Sequence, residues 1–202
     1  MNSCITCKEA IEHCMSTHTF AFAHLYGDEK IMDMHIHNCC EVYYSISGGK
    51  QFLIDHCLYD IRPGDLFLIN QFESHHLTQI DQQTHERIIL SIDPEYLSKL
   101  STGVTDLGHC FSFRDTRMPH QIHLSPKEQN RFMYFIHELH DDGGMGEDLL
   151  DQAIFLELMV FLNRAFAARC TDAAAPAQAP SSNYHAQVDA ILSYINSNIG
   201  EP

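Results

Sequence analysis

Hydrophobic and polar residues alternate along much of the first half of the chain. The alternation runs through TFAFAHLY from Thr19 and DMHIHNCCEVYYSIS from Asp33, and HERIILSID from His85 has the composition of a further strand. The intervening stretch KQFLIDHCLYDIRPGDLFLIN, from Lys50, has the pattern of three strands separated by two turns that contain Asp, Pro and Gly. Many short strands at this close spacing predict a β-sandwich or β-barrel.

Beyond Asp93 the pattern changes to the period of helices. Asp93 followed by Pro94 is typical of an N-cap and a first helical position, and predicts a short helix over DPEYLSKL. Ser125 and Glu128 have the spacing of a capping box at the start of a second helix. One apolar stripe follows in that helix, made of Phe132, Phe135, Ile136 and Leu139. The region from 101 to 123 has no clear period, and we expect a loop there with a short element around HCFSFRD.

A longer helix is predicted after the glycines at 143, 144 and 146. It covers EDLLDQAIFLELMVFLNRAFAARC, and its middle is apolar on nearly every side. A helix with this pattern must be covered by more than one surface. The chain's own β-domain and a second subunit would supply both surfaces, so we favour a homodimer. The alternative is a helix enclosed within one monomer.

The last thirty residues change character again. TDAAAPAQAPSSN, residues 171–183, is rich in Ala, Pro and Ser and has the composition of a linker. Residues 184–202 then form an amphipathic pattern, with Val188, Ile191, Leu192 and Ile195 on one face. A single amphipathic helix has no core of its own, so the pattern indicates the beginning of a second domain and a piece of a longer protein.

Charge and cysteine content narrow the function classes. The chain has 12 Lys and Arg against 27 Asp and Glu, a formal net charge of -15, which argues against direct nucleic-acid binding by these residues. The N-terminus lacks the apolar segment of a signal peptide, and no stretch reaches the length of a membrane span. We therefore predict a cytoplasmic protein without a membrane partner, whose 8 cysteines are reduced. They would serve as core residues, metal ligands or redox-sensitive thiols.

The candidate chemistry lies in HIHNCCEVYY, residues 35–44. His35, His37, Cys39, Glu41 and Tyr43 have the same parity, so on a β-strand they would face one side. Two imidazoles and a carboxylate in one cavity are donors that a divalent transition metal prefers, with Zn, Fe, Ni or Mn as candidates. A further ligand would come from GDLFLINQFESHH, as His75 or His76. The alternative is that the histidines line a pocket for an organic ligand.

These spacings resemble the two motifs of the cupin family. His35-x-His37-x-x-x-Glu41, with Gly48 after six intervening residues, is similar to the first motif, and Gly64 followed by His75 is similar to the second. The resemblance implies His35, His37, Glu41 and His75 as the metal ligands. The second motif normally has Pro and Gly where this chain has Asn70 and Phe72, and its final Asn falls at Gln79. This departure puts the loop geometry in doubt but keeps the histidine.

Four further residues are predicted to contact a small molecule inside the barrel. They are Cys39, Tyr43, Phe52 and Phe67. For Cys39 the alternatives are a role in tuning the metal site and a role as a small buried core residue.

The wider chain resembles the effector-binding region of AraC/XylS-type transcriptional regulators, most specifically in PGDLFLIN and in the final helix. The resemblance implies an α+β fold, in which a cupin β-barrel (double-stranded β-helix) precedes a helical dimerisation segment and a DNA-binding domain with two helix-turn-helix units. The predicted divisions are an N-terminal segment 1–19, the effector-binding barrel 20–100, the connecting region and dimerisation helices 101–170, the linker 171–183, and the first DNA-binding helix 184–202. The recognition helices are absent, so DNA would be bound only through a C-terminal domain outside this chain.

Three functions remain open. The leading hypothesis is a non-enzymatic sensor domain of a transcription regulator, which binds a small-molecule effector, a divalent metal or both. The second is a metal-dependent cupin enzyme, a dioxygenase or an isomerase. The third is a metal or redox sensor, in which Cys39 or Cys40 modulates the site. A separate N-terminal metal site is conceivable from Cys4, Cys7, His13, Cys14 and His18, but a single CxxC without a second well-spaced pair is more typical of core cysteines.

Overall fold

The computed structural model describes residues 6–27, 34–49, 51–79, 85–112, 120–139 and 144–172. The helices are α1 (Cys7–Thr17), α2 (Pro94–Leu100), α3 (His109–Ser112), α4 (Pro126–Glu138) and α5 (Glu147–Asp172). The strands are β1 (Phe20–Gly27), β2 (Cys40–Ser45), β3 (Gln51–Ile54), β4 (Cys57–Asp60), β5 (Asp65–Ile69), β6 (His75–Gln79), β7 (His85–Ile92) and β8 (Gln121–His123). The predicted linker beyond 172, the final helix 184–202, Cys4 and the side chain of Gln79 lie outside the described residues.

The strands form two antiparallel sheets. The larger sheet has the order β1-β7-β2-β5-β8, and the smaller has the order β4-β3-β6. Every residue of β2 is buried, as expected for a central strand that is covered on both faces. The predicted α+β fold is confirmed, although α1 precedes the first strand and β8 follows α3.

Two apolar cores lie on the two faces of the larger sheet. Alternate residues of β2 point into different cores. Val42 and Tyr44 belong to the first core, which the sheet shares with the helices that follow it. Tyr43 belongs to the second core, which the sheet shares with the smaller sheet and α1. The stripe predicted on α4, Phe132, Phe135, Ile136 and Leu139, is buried in the first core. The second core lies beside the candidate site.

The predicted helix starts are present. The Asp93 carboxylate accepts a hydrogen bond from the Glu95 N–H at the start of α2. At the start of α4, the Glu128 carboxylate accepts from the backbone N–H of Ser125 at 2.8 Å. The long helix α5 buries Phe155, Leu158 and other apolar residues against the first core. Helix α3 coincides with the short element that we expected around HCFSFRD.

Two features differ from the sequence-based expectation. Residues 121–123 form β8, which pairs with β5 as an edge strand although only three residues long. A segment this short has no detectable alternation, so its pairing comes from the tertiary structure. The prediction that His35, His37 and Cys39 share a strand with Glu41 is wrong, because β2 begins at Cys40.

Candidate metal centre

The segment before β2 is placed by β6 and by the loop that precedes it. His35 and His75 form an isolated antiparallel bridge, in which each backbone N–H donates to the other's carbonyl at 3.2 and 3.1 Å. Two residues further on, the His37 carbonyl accepts from the Phe72 N–H at 2.8 Å. The convergence predicted from strand parity therefore arises from pairing between two chain segments.

Four predicted metal ligands lie together at this junction. His35, His37 and His75 each offer a ring nitrogen, and the three nitrogens lie within 4.8 Å of one another. Glu41 Oε2 lies 3.1 Å from His37 Nε2 and 3.8 Å from His75 Nε2. His76, the other histidine that the sequence offered, is not part of this group. Their use as ligands stays a prediction, but the geometry brings together the set that the cupin resemblance implied.

Backbone carbonyls orient two of the imidazoles. His37 Nδ1 lies 2.9 Å from the Cys39 carbonyl, and His75 Nδ1 lies 2.9 Å from the Glu73 carbonyl. Because a carbonyl only accepts, both Nδ1 atoms carry the proton and donate. This is the arrangement of metal-binding histidines, whose second nitrogen is held by an outer partner.

The surroundings of His75 Nε2 show whether a cation would fit this group. The residue is 0% exposed, and among the described residues this nitrogen has no hydrogen-bond partner. A buried polar atom without a partner costs about 1–3 kcal/mol, so native proteins rarely keep one without a reason. With Nδ1 protonated, Nε2 presents a lone pair toward the other three groups. Three imidazoles and one carboxylate are suitable donors for a divalent transition metal.

The charges in the cluster are coupled. Burial would lower the pKa of His37, but hydrogen bonds to Cys39 and Glu41 outweigh it and raise the pKa to about 10. Burial tends to raise the pKa of Glu41, yet the His37 hydrogen bond and the nearby imidazoles lower it. Burial lowers the pKa of His75 and keeps that ring neutral. The buried Glu41 carboxylate is thus paired with the protonated His37, and a divalent cation would take over this charge pairing when the His37 proton leaves.

Cys39 contacts the cluster and is also part of the core. Its thiol is fully buried and lies 3.3 Å from His37 Nδ1. A hydrogen bond with Cys14 of α1, and the contact with His37, lower the pKa of Cys39 to about 6 against the opposing effect of burial. Both sequence-based readings of Cys39 are therefore compatible with its position.

The other three side chains predicted to bind a small molecule pack against one another. The Tyr43 ring centroid lies 4.9 Å from Phe52 and 5.9 Å from Phe67, and the last two rings are 5.1 Å apart. None of the three is more than 1% exposed. Their role in ligand binding stays a prediction.

Sequence reasoning missed His85 and Arg87. Both are buried on β7, with the parity of Ile89, which faces the second core. His85 Nδ1 donates to the Gly48 carbonyl at 2.7 Å, so its Nε2 accepts from the Tyr43 hydroxyl. The signal available was parity: on a strand, His85 and Arg87 face the same side as Ile89.

The N-terminal candidates do not form a second centre in the described part of the chain. Cys7, His13 and Cys14 lie on α1, and Cys14 is buried in the second core. His18 instead contacts Asp93 at 2.9 Å. Within the described ranges, His35, His37 and His75 are the one group of three or more potential ligands with metal-binding spacing.

Comparison with protein families identifies the domain. The model of the AraC-like ligand binding domain matches residues 19–159, more than half of the chain. The chain belongs to this family. A search of curated proteins gives no match. Among the described residues of this AraC-like domain, no helix is long and apolar enough to cross a membrane.

Solved structures similar to this AraC-like domain include several cupins. Oxalate decarboxylase of Bacillus subtilis is 21% identical over 37% of this chain and 21% of that chain, with a TM-score of 0.34. An RmlC-like cupin of Shewanella frigidimarina is 17% identical over 38% of this chain and 68% of its own, also at 0.34. The DMSP lyase of Ruegeria pomeroyi is 21% identical over 37% and 38%, at 0.33. The matched region spans about a fifth of the decarboxylase, and these scores carry no functional argument.

Proposed function

We propose that this chain is the sensor domain of an AraC/XylS-type transcription regulator and that it binds a divalent transition metal at His35, His37, Glu41 and His75. The observation that carries the proposal is the buried Nε2 of His75, without a hydrogen-bond partner among the described residues, in a group of three histidines beside the Glu41 carboxylate. Family membership supplies the context, because an AraC-like domain is a ligand-binding domain.

The protein's own residues have defined tasks in this proposal. Nε2 of His37 and of His75 face the cation, while the Cys39 and Glu73 carbonyls fix the ring orientations. Zn, Fe, Ni and Mn all suit this donor set. A bound metal would supply a positive charge in a water-poor site and an acceptor for a donor atom of an effector. The Nε2 proton of His37 must leave when the cation binds.

Regulation in this proposal follows from a ligand that favours one arrangement of the domain over another. A small-molecule effector would enter the interior between the sheets beside the metal. Two copies of the chain would pair through α4 and α5, whose outer surface includes the half-buried Val160 and Phe161. DNA would be contacted only by a further C-terminal domain, the setting would be the cytoplasm, and the domain itself would not be an enzyme.

One observation favours a second candidate, in which the metal itself is the signal. Tyr43, Phe52 and Phe67, predicted to contact an organic effector, are almost fully buried and pack against one another, which leaves little space among them for such a ligand. A small cation needs no such space. In this candidate, saturating metal alone changes the regulator's operator affinity, whereas in the first the metal is required but does not suffice.

Elemental analysis of the purified chain tests the metal site. We expect about one metal ion per chain after equilibration with Zn, Ni, Mn or Fe, and loss of that ion in His37→Ala and His75→Ala. Replacement of the exposed His137 by Gln is the matched control, because it removes a histidine remote from the cluster. The proposal is wrong if no stoichiometric metal binds and added metal changes neither the melting temperature nor the spectrum.

The regulator part is tested by the coding sequence beyond Pro202. We expect it to continue through two helix-turn-helix units. A stop codon shortly after Pro202 would refute the regulator assignment and leave the metal site as a separate question.

A further inference from the structure

The loop before β6 links the candidate centre to a second buried pair. Glu73 holds His75 through its backbone carbonyl, 2.9 Å from Nδ1. Its carboxylate accepts the Asn70 N–H at 2.7 Å, which closes the loop. The same Oε2 lies 3.3 Å from Nε2 of His120, at ion-pair distance but without the geometry of a hydrogen bond, and the two side chains are only 16% and 11% exposed. Glu73 therefore contacts a proposed metal ligand with its backbone and a distant part of the chain with its side chain.

His120 is fixed from several sides. Its Nδ1 lies 2.9 Å from the Tyr59 hydroxyl on β4, and its carbonyl accepts the Leu68 N–H of β5 at 2.9 Å. It thus spans from the smaller sheet, through Tyr59, to the larger sheet, through Leu68.

The residues after His120 lead directly to the two long helices. His120 immediately precedes β8, which ends at His123. The His123 carbonyl accepts from Arg169 of α5 at 2.9 Å. Arg169 also binds the Glu128 carboxylate of α4 through both terminal nitrogens, at 2.8 and 2.7 Å. The guanidinium of Arg169 therefore joins β8 to both helices.

From these contacts we propose that Glu73 and His120 are positioning residues that set the orientation of His75 and couple metal binding to β8 and the α4–α5 pair. The inference rests on the proposed metal site. The coupling has a physical route. A cation bound to His75 Nε2 would shift the imidazole, and the hydrogen bond from Nδ1 would shift the Glu73 backbone with it. The Glu73 carboxylate, which lies beside His120, would then move relative to His120. Loss of an outer partner of a metal-binding histidine typically weakens metal affinity by about 10–100-fold.

Two variants of His120 separate positioning from simple packing. His120→Phe keeps a ring of similar size but removes the ring nitrogen that lies 3.3 Å from the Glu73 carboxylate. His120→Gln keeps an N–H donor and loses the ring. We expect His120→Phe to bind Co²⁺ about 10-fold more weakly than the unchanged chain, with an altered visible absorption of the bound Co²⁺. We expect His120→Gln to recover much of both, and His137→Gln to match the unchanged chain.

Hydrogen exchange measures the coupling itself. In the unchanged chain, Co²⁺ should slow backbone exchange in residues 120–125 and in the first turn of α4. At Co²⁺ concentrations that saturate it, His120→Phe should lose this protection relative to its own metal-free state. Equal affinity, spectrum and protection in His120→Phe and the unchanged chain would overturn the inference while the metal site stands. Failure of the unchanged chain to bind Co²⁺ would overturn the metal site, and the inference with it.

Discussion

Replacement of His75 by Phe should make the metal-free domain more stable and the metal-loaded domain comparatively less stable. In the native chain, Nε2 of His75 is buried without a partner among the described residues. Such an atom costs about 1–3 kcal/mol. A Phe ring has a similar shape and no polar atom, so this cost disappears. The variant also loses the Nδ1–H bond to the Glu73 carbonyl, which is worth about 0.5–1.5 kcal/mol.

The two terms leave a net gain of about 1 kcal/mol for His75→Phe in the presence of a chelator. Metal reverses the order. At a free metal concentration about 100 times the dissociation constant, the unchanged chain gains about 2.7 kcal/mol, whereas a variant without His75 gains little. With metal, the free energy of unfolding of the unchanged chain should then exceed that of His75→Phe by roughly 1.5–2 kcal/mol, or several degrees in melting temperature for a domain of this size.

Urea denaturation followed by circular dichroism, once with chelator and once with Zn²⁺, measures which of the two proteins is more stable in each condition. His137→Gln, far from the cluster, should give the same metal-induced gain as the unchanged chain. A loss of more than about 1 kcal/mol in His75→Phe under chelator would show that His75 Nε2 has a favourable partner. A parallel metal-induced gain in both proteins would show that the stabilising cation binds elsewhere.

Three further predictions concern backbone strain, pH and association. Phe72 is 64% exposed and has φ 63°, so Phe72→Gly should raise the free energy of unfolding by about 1 kcal/mol in urea titrations, whereas Phe72→Ala, which keeps the Cβ, should not. The Arg169 hydrogen bonds lower the pKa of Glu128 to about 2, so their stabilisation is complete above about pH 4.5 and is lost as pH falls toward 2. The free energy of unfolding of Glu128→Gln should therefore be up to about 1 kcal/mol lower than that of the unchanged chain at pH 6, and this difference should vanish near pH 2. A difference that stays constant with pH would contradict this explanation. If the chain is a dimer, Phe161→Glu should convert it to a monomer in light scattering. Leu58→Glu, a change at an exposed residue of β4, should leave the dimer intact. A monomeric unchanged chain would exclude the dimer.

The sequence predicted those parts of the fold in which local pattern and tertiary structure agree. Turn residues and strand-like composition located β5 and β7, and capping residues located the starts of α2 and α4, because these signals act within a few residues. It could not locate β8, whose three residues are ordered by pairing with β5. The sequence pattern also extended β2 too far. The alternation in HIHNCC suggests that the strand begins earlier, but His35, before the first residue of β2, pairs with His75 instead.

For the site, residue types and spacings were sufficient to name the cluster but not its outer contacts. His37 and Glu41 are four residues apart, so their proximity follows from the local chain. The contact between Glu73 and His120 joins residues 47 positions apart in segments with no shared motif, and no spacing rule reaches it. Burial lowers the pKa of His75, whereas hydrogen bonds outweigh burial and raise the pKa of His37, and neither the burial nor these contacts can be calculated from a strand pattern alone.

The departure at Phe72 shows how the site tolerates an unfavourable residue. Gly is the usual residue at a positive φ because it has no Cβ, and Phe in this conformation costs about 1–2 kcal/mol. Two contacts oppose that cost: the Phe72 N–H donates to the His37 carbonyl, and the Glu73 carboxylate accepts the Asn70 N–H. The first of these ties the His75 loop to the His37 segment. If the strain at Phe72 is held by the contact that aligns two ligands, relieving it with Gly should stabilise the chain without strengthening metal binding, because a more flexible loop must be ordered when the cation binds.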